Sequence, residues 1–290
     1  MPSFGKSIRI YLADGTAAGI RHAELVNWTG QALLCPRSRL AELAAWPESQ
    51  RPGVYLLFGD SDSGEPSAYI GEAENVLVRL QAHLKTKDFW SRVVFFTSKD
   101  DNLTKAHVKY LESRLHQLAR EAKRVRLENG NVPQAPVLPR SERDTMEEFL
   151  ESLSVLLGVL GFPIVQPVAS TGPGPAPLRF QFRVAKRGID ATGAANDEGF
   201  VVFAGSRGDA DLRGTMGKGY QTLRDDLLDD GRVVVEGSTI RFVEDVLFTS
   251  PSAAAAVLAG GAYNGREAWR TADGTTLKAL EERLAIEEET

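Results

Sequence analysis

Five prolines and two glycines fall between Pro163 and Pro177, and the last three prolines alternate with other residues. Such a stretch lacks too many backbone donors to continue a helix or to lie inside a sheet, so it reads as an extended linker. It divides the 290 residues into two parts, each long enough to bury a core of its own. The expected partition is an N-terminal extension over 1–49, a domain over 50–140, an acidic helix and the linker over 141–177, and a C-terminal α+β domain over 178–290.

Periodicity supplies the elements. SIRIYLA (7–13) alternates apolar and polar residues before Asp14-Gly15, the pattern of a strand entering a turn. A mixed segment follows, then a short helix over 39–46 stopped by Pro47. GVYLLF (53–58) and the segment around Tyr69-Ile70-Gly71 read as two strands of a hairpin, joined by a long loop of turn-forming residues, GDSDSGEPS. Helical text at 74–84 and a buried strand at 93–97 come next. The clearest helix runs over 102–126, where Leu111, Leu115, Leu118 and Ala122 recur at intervals of three and four. In the second half the expectation is strands at 178–185 and 200–204, a Gly-rich loop, a helix at 220–230, a hairpin at 233–242 and helices at 252–259 and 277–288. Both halves are therefore expected to be α+β, the first a small mixed or antiparallel sheet with flanking helices.

Charge and cysteine content exclude several classes. The single Cys35 allows no intramolecular disulfide, and four scattered histidines with it make no zinc cluster. No apolar run reaches the length of a membrane span, and MPSFGKSIRI lacks a signal core, so no membrane partner and a cytoplasmic location are expected. Net charge is −5, yet residues 79–126 hold twelve Lys/Arg against five Asp/Glu. A local excess of +7 on an acidic chain suggests a polyanion site. The Gly-rich loop over 205–219 fails as a phosphate loop, since a motif ending at Gly217-Lys218 needs Gly and Ser or Thr where Leu212 and Gly219 stand. No nucleotide cofactor is expected.

The chemistry-bearing residues are Tyr55 in Gly53-Val54-Tyr55, Tyr69 in Tyr69-Ile70-Gly71, Arg79 ten residues later, His83 one helical turn beyond it, and Glu112 in YLESRL. Each alone has an ordinary explanation: tyrosines pack in half-buried strands, Arg79 and His83 are solvated on an amphipathic helix, and Glu112 partners Lys109 or His116. Together, in this order, they resemble the GIY-YIG nuclease superfamily over about residues 50–131. The departure is a longer separation of thirteen residues between the two tyrosines.

The resemblance implies an endonuclease that leaves 5′ phosphate and 3′ hydroxyl. Its nucleic-acid substrate is expected to be DNA rather than RNA. Glu112 is the implied ligand of Mg2+ or Mn2+, Tyr55 the general base, Tyr69 an orienting group and His83 an aid to proton movement. Physically, a carboxylate-held cation neutralises phosphate charge, the Arg79 fork meets phosphate oxygens, and a nearby cation pulls a phenol pKa down. Phosphate contacts are expected among Lys85, Lys87, Lys105, Lys109, Arg120 and Arg124, with Asn129 and Asn131 as loosely aligned substrate-binding positions. His116 is a weaker option as a second metal ligand. The alternative function is a non-catalytic nucleic-acid-binding protein that keeps the fold. A third reading is a protein-interaction module in the C-terminal half.

That half resembles an uncharacterised domain appended to GIY-YIG nucleases, through Phe248-Thr249-Ser250-Pro251-Ser252-Ala253-Ala254, Asn264-Gly265 and Trp269. Its ending also resembles the restriction enzyme and adenine methylase associated (RAMA) domain, with Arg266 where that family has tryptophan. The resemblance implies substrate selection. The ordinary reading is a Ser250 cap, a close-packed alanine helix and a turn at Asn264-Gly265.

Overall fold

The computed structural model describes residues 4–61, 66–167 and 178–287, and the side chains as far as 283. The chain is mixed α+β and divides into two compact units, Met1–Pro167 and Val168–Thr290. Most of the Pro/Gly-rich linker (168–177) and the hairpin tip (62–65) lie outside the described residues. No helix among the described residues is long and apolar enough to cross a membrane.

In the first unit the strands are β1 (Ile8–Leu12), β2 (Arg21–Leu25), β3 (Gly30–Pro36), β4 (Gly53–Asp60), β5 (Pro66–Ala73), β6 (Trp90–Ser98) and β7 (Arg126–Leu127). They form one sheet in the order β1-β2-β3-β6-β4-β5-β7, antiparallel except for the parallel pair β5–β7. Alternation along β4 sorts two cores. Val54, Leu56 and Phe58 face α2 (Lys105–Ala122) and α3 (Arg140–Val159), while Tyr55 and Leu57 face α1 (Val76–Thr86) and a 3₁₀ helix over Arg37–Ala45.

Here the structure differs from the expected partition. Residues 1–49 are no appendage: β3 lies beside β6 inside the sheet, and every residue from Gly30 to Cys35 is buried. The acidic helix α3 belongs to the same core, through Met146, Phe149, Leu150, Leu153, Leu156 and Leu157. It is fastened by Glu147, which accepts from Tyr110 at 2.6 Å and Arg114 at 2.7 Å on α2. The segment 37–45 folds as a 3₁₀ helix, its Leu40 and Leu43 eclipsed three residues apart and both buried.

The second unit holds β8 (Arg179–Val184), β9 (Ile189–Asn196), β10 (Gly199–Val202), β11 (Arg207–Asp209), β12 (Val233–Glu236), β13 (Thr239–Phe242) and β14 (Val246–Phe248). The order is β12-β13-β11-β9-β10-β14, with β8 paired to β9. Its helices are α4 (Lys218–Asp229), α5 (Pro251–Ala259), α6 (Gly265–Ala268) and α7 (Leu277–Glu287). Every residue of α5 from Ala253 to Ala259 is buried. Small side chains let the helix approach the sheet so closely that a Cβ at Gly208 would stand 2.4 Å from the Leu258 carbonyl. Ser250 caps α5, its side chain accepting from the Ala253 amide at 3.1 Å, and Pro251 occupies the first turn.

Candidate active site at the open edge of a strand

Strand β5 has an edge partner for only part of its length. β7 pairs with Ser67 and Ala68, the Glu128 amide donates to Ala68, and the Asn129 side chain then brackets Ile70, accepting from its amide at 3.0 Å and donating to its carbonyl at 2.8 Å. Among the described residues Gly71–Ala73 have only β4 as a strand neighbour. Asn129, expected near substrate, therefore spends both side-chain groups on the β5 backbone. Asn131 is exposed on the loop beyond.

Tyr55 and Gly71 are cross-strand partners on β4 and β5. A Cβ at position 71 would come within 2.3 Å of the Tyr55 hydroxyl oxygen, so the phenol lies across β5 only because residue 71 has no side chain. That places Oη beneath α1. The Asn75 side chain caps α1 by accepting from the Val78 amide, and this sets the helix phase so that Arg79 and His83, one turn apart, both meet the phenol. Tyr55 Oη lies 2.7 Å from His83 Nε2, and Arg79 Nε–H donates to Oη at 3.4 Å. The Tyr69 ring stacks beside Tyr55 with centroids 6.3 Å apart and meets His83 edge-on at 5.3 Å.

The electrostatics are those of a covered site. Burial raises the Tyr55 pKa above the ordinary phenol value, and the hydrogen bond from Arg79 does not cancel this. The expected downward shift of the phenol is thus absent from the resting protein. His83 is buried and neutral: desolvation, then the charges of Arg79 and Lys87, lower its pKa to about 4. Its Nδ1 has no partner among the described residues. Tyr55 and His83 are covered, Tyr69 is half-buried and Arg79 is exposed.

Glu112 stands on the other face of the sheet, on α2. Burial raises its pKa to about 7, and the next largest contribution is the charge of Glu72, opposed by Arg79 and Lys109. Strand parity explains Glu72, since Ala68 and Ile70 face α2 and residue 72 follows at the same period. Sequence reasoning passed over Glu72, although its parity with Ile70 was readable. The five expected residues therefore gather around one strand edge, four on the α1 face and Glu112 on the α2 face.

The expected phosphate contacts sort by their partners. Lys105 is tied to Glu74 at 2.8 Å, and Arg124 donates to the Gln166 carbonyl at 2.6 Å. Lys87 Nζ sits 4.0 Å from the Tyr69 ring centroid. Lys85 is exposed, and at 100° per residue it points away from the Arg79–His83 face of α1. Lys109 is exposed one turn before Glu112, and Arg120 is exposed near the end of α2. His116 is buried, its Nδ1 has no partner among the described residues, and burial lowers its pKa. Among the described residues no group of three or more His, Cys, Asp or Glu could hold a metal ion.

In the second unit Trp269 is fully buried against Phe182 and Phe200, and its indole donates to the Pro251 carbonyl at 3.1 Å. Asn264-Gly265 opens α6, where a Cβ at Gly265 would strike the Pro251 backbone at 2.2 Å. Arg266 is exposed and pairs with Glu281 at 2.6 Å. Residues 180–281 of this unit match a family model described as a domain of unknown function (DUF4357), and the match includes nothing of the first unit. No curated protein and no solved structure matches the chain.

Proposed function

We propose that the first unit hydrolyses nucleic-acid phosphodiesters, DNA before RNA, with a divalent cation of the Mg2+ or Mn2+ type. The observation that carries this reading is the Tyr55 hydroxyl held between His83 and Arg79 over Gly71. A tyrosine serving packing alone needs no glycine cleared beneath its oxygen and no imidazole bonded to it.

The donor chemistry suits a hard cation. Glu112 is a carboxyl that burial, with Glu72 adding negative potential, keeps protonated up to about 7 against the charges of Arg79 and Lys109. Oxygen ligands of this kind suit Mg2+ or Mn2+, and the remaining positions would be water. When bound, the cation neutralises phosphate charge and that of the departing 3′ oxygen.

The chain's own residues do the rest. Arg79 transfers its donors from the phenol to a non-bridging phosphate oxygen, which frees a lone pair on Oη. Oη takes a proton from the attacking water while passing its own to neutral His83 Nε2, the water oxygen bonds to phosphorus, and the P–O3′ bond breaks, the departing 3′ oxygen taking a proton from a solvent water. The products carry 5′ phosphate and 3′ hydroxyl. The second unit, by its likeness to domains appended to such nucleases, selects or holds substrate.

A second reading, a nucleic-acid-binding protein without catalysis, is favoured by one observation: Tyr55 is fully covered and its pKa is raised. Incubation of single- and double-stranded DNA and RNA with the protein in Mg2+, Mn2+ or chelator separates the two. Metal-dependent products with 5′ phosphate are expected; binding with no product from any substrate would replace the first reading by the second.

A further inference from the structure

Two cations of α1 reach the tyrosine pair, and neither has a carboxylate within ion-pair distance among the described residues. Arg79 bonds Tyr55, and Lys87 Nζ lies over the Tyr69 ring at 4.0 Å. Other cations of this unit are paired with acids, Lys105 with Glu74 and Arg114 with Glu147. Arg79 feels the charges of Glu72 and Glu112, whereas the Lys87 ammonium has the Tyr69 ring as its neighbour and no ion pair among the described residues.

Lys87 is also held in place. It closes α1, its amide donating to the His83 carbonyl. Arg37 then pins the helix end: Nη1 donates to the Lys87 carbonyl at 2.6 Å and Nη2 to the Leu84 carbonyl at 3.2 Å, with the guanidinium over the Trp90 ring at 4.7 Å. Arg79, in the first turn of α1, and Lys87, at its C-cap, approach different rings of the pair, whose centroids are 6.3 Å apart.

We infer that Lys87 is a second phosphate anchor: Arg79 takes the phosphate that is cleaved and Lys87 a neighbouring phosphate of the same strand, so the substrate is a polynucleotide and not a lone phosphodiester. This rests on the hydrolytic reading above for the role of Arg79 but not for the existence of the anchor.

The test compares wild type, Lys87→Gln and, as control, Lys85→Gln in the full chain. Binding of a fluorescein-labelled single-stranded oligonucleotide is followed by anisotropy in chelator across a range of NaCl. Loss of one phosphate contact should weaken binding roughly tenfold at low salt and reduce the slope of log K against log salt by about 0.7. Lys85→Gln should match wild type. In turnover with Mn2+, Lys87→Gln should raise KM for the oligonucleotide by a larger factor than it changes kcat. Hydrolysis of bis(p-nitrophenyl) phosphate, which has a single phosphate, should fall by less than kcat/KM for the oligonucleotide. An unaltered slope and KM in Lys87→Gln, or an equal loss in Lys85→Gln, overturns the anchor, as does equal damage to the single-phosphate substrate. A reduced slope with no turnover by any of the three proteins keeps the anchor and overturns the hydrolytic reading.

Discussion

The two units treat buried polar groups in opposite ways. In the second, Arg224 is 2% exposed, yet its guanidinium donates to the carbonyls of Val257 at 2.9 Å, Asp209 at 2.7 Å and Ala210 at 2.9 Å. Asp209 accepts from Arg187 and from the Asp211 amide, and Ser206 both accepts from and donates to Thr192. In the first unit His83, His116, Trp90, Arg21 and Glu48 each keep a buried polar atom without a partner among the described residues. A closed network specifies a fold; an orphaned atom costs free energy and persists where packing or function holds it. Only His83 of these five is bonded to another expected site residue, so the orphan gains meaning from its neighbours and not by itself.

The sharpest break between the units is chemical. Under the proposed hydrolysis, Tyr55→Phe keeps the ring packing and removes the oxygen that His83 and Arg79 bond, so kcat should fall by about three orders of magnitude, ~4 kcal/mol in the barrier. Gly71→Ala should do comparable damage by displacing Oη. Single-turnover cleavage in Mn2+ measures both, and wild-type rates in Tyr55→Phe would reduce that residue to a packing role. The second unit predicts loss of stability instead. Arg224→Met leaves three buried carbonyls without their donor and should cost about 3 kcal/mol of unfolding free energy, read by urea denaturation. A variant as stable as wild type would mean that the network does not hold the fold.

Much of this contrast was legible before the structure, and the omissions have physical causes. β1, the β4–β5 hairpin, β6 and the helices declare themselves by alternation, by turn residues or by three-and-four spacing. β3 does not: GQALLCP is buried on both faces as an inner strand and so has no period to read. β9 is hidden by its small residues, Ala191, Gly193 and Ala194, which give little apolar contrast. Tyr55, Tyr69, Arg79 and His83 could be grouped because strand register and one helical turn fix their relations locally. Which lysines stay unpaired depends on contacts such as Lys105 with Glu74, thirty-one residues apart, and no local pattern encodes that.

Glu112 gives a smaller effect that also tests the comparison. Its folded pKa, about 7, lies above the ordinary carboxyl value of 4.5. Below 4.5 the group is neutral in both folded and unfolded chains and costs nothing. As pH rises from 4.5 to 7 the unfolded chain loses the proton first, so stability falls through that window and stays lower above it. The full shift corresponds to about 3 kcal/mol, and partial exposure reduces it to ~1–2 kcal/mol. Glu112→Gln in chelator should therefore be more stable than wild type by that amount at pH 8 and equal to it at pH 4, while losing turnover. A variant less stable at pH 8 would show that the ionised carboxylate is satisfied within the fold, as Asp209 is.

The smallest expected effect is the absence of one. All five residues of the proposed chemistry, and Glu72 and Lys87 with them, lie before Pro167, where the first compact unit ends. The apolar cores divide the same way: no residue of the two clusters in the first unit belongs to that of the second. A chain ended at Pro167 keeps β1 to β7 and α1 to α3, so it should fold and give the full-length single-turnover rate at saturating substrate. At limiting substrate it should be slower, or should change its preference among substrates, because a tethered second binding surface raises the effective concentration of the site at its target. A folded truncated chain that lacks chemistry even at saturation would mean that the second unit completes the active site. Identical behaviour at both concentrations would remove substrate selection from the second unit and leave its closed polar network with a purely structural part.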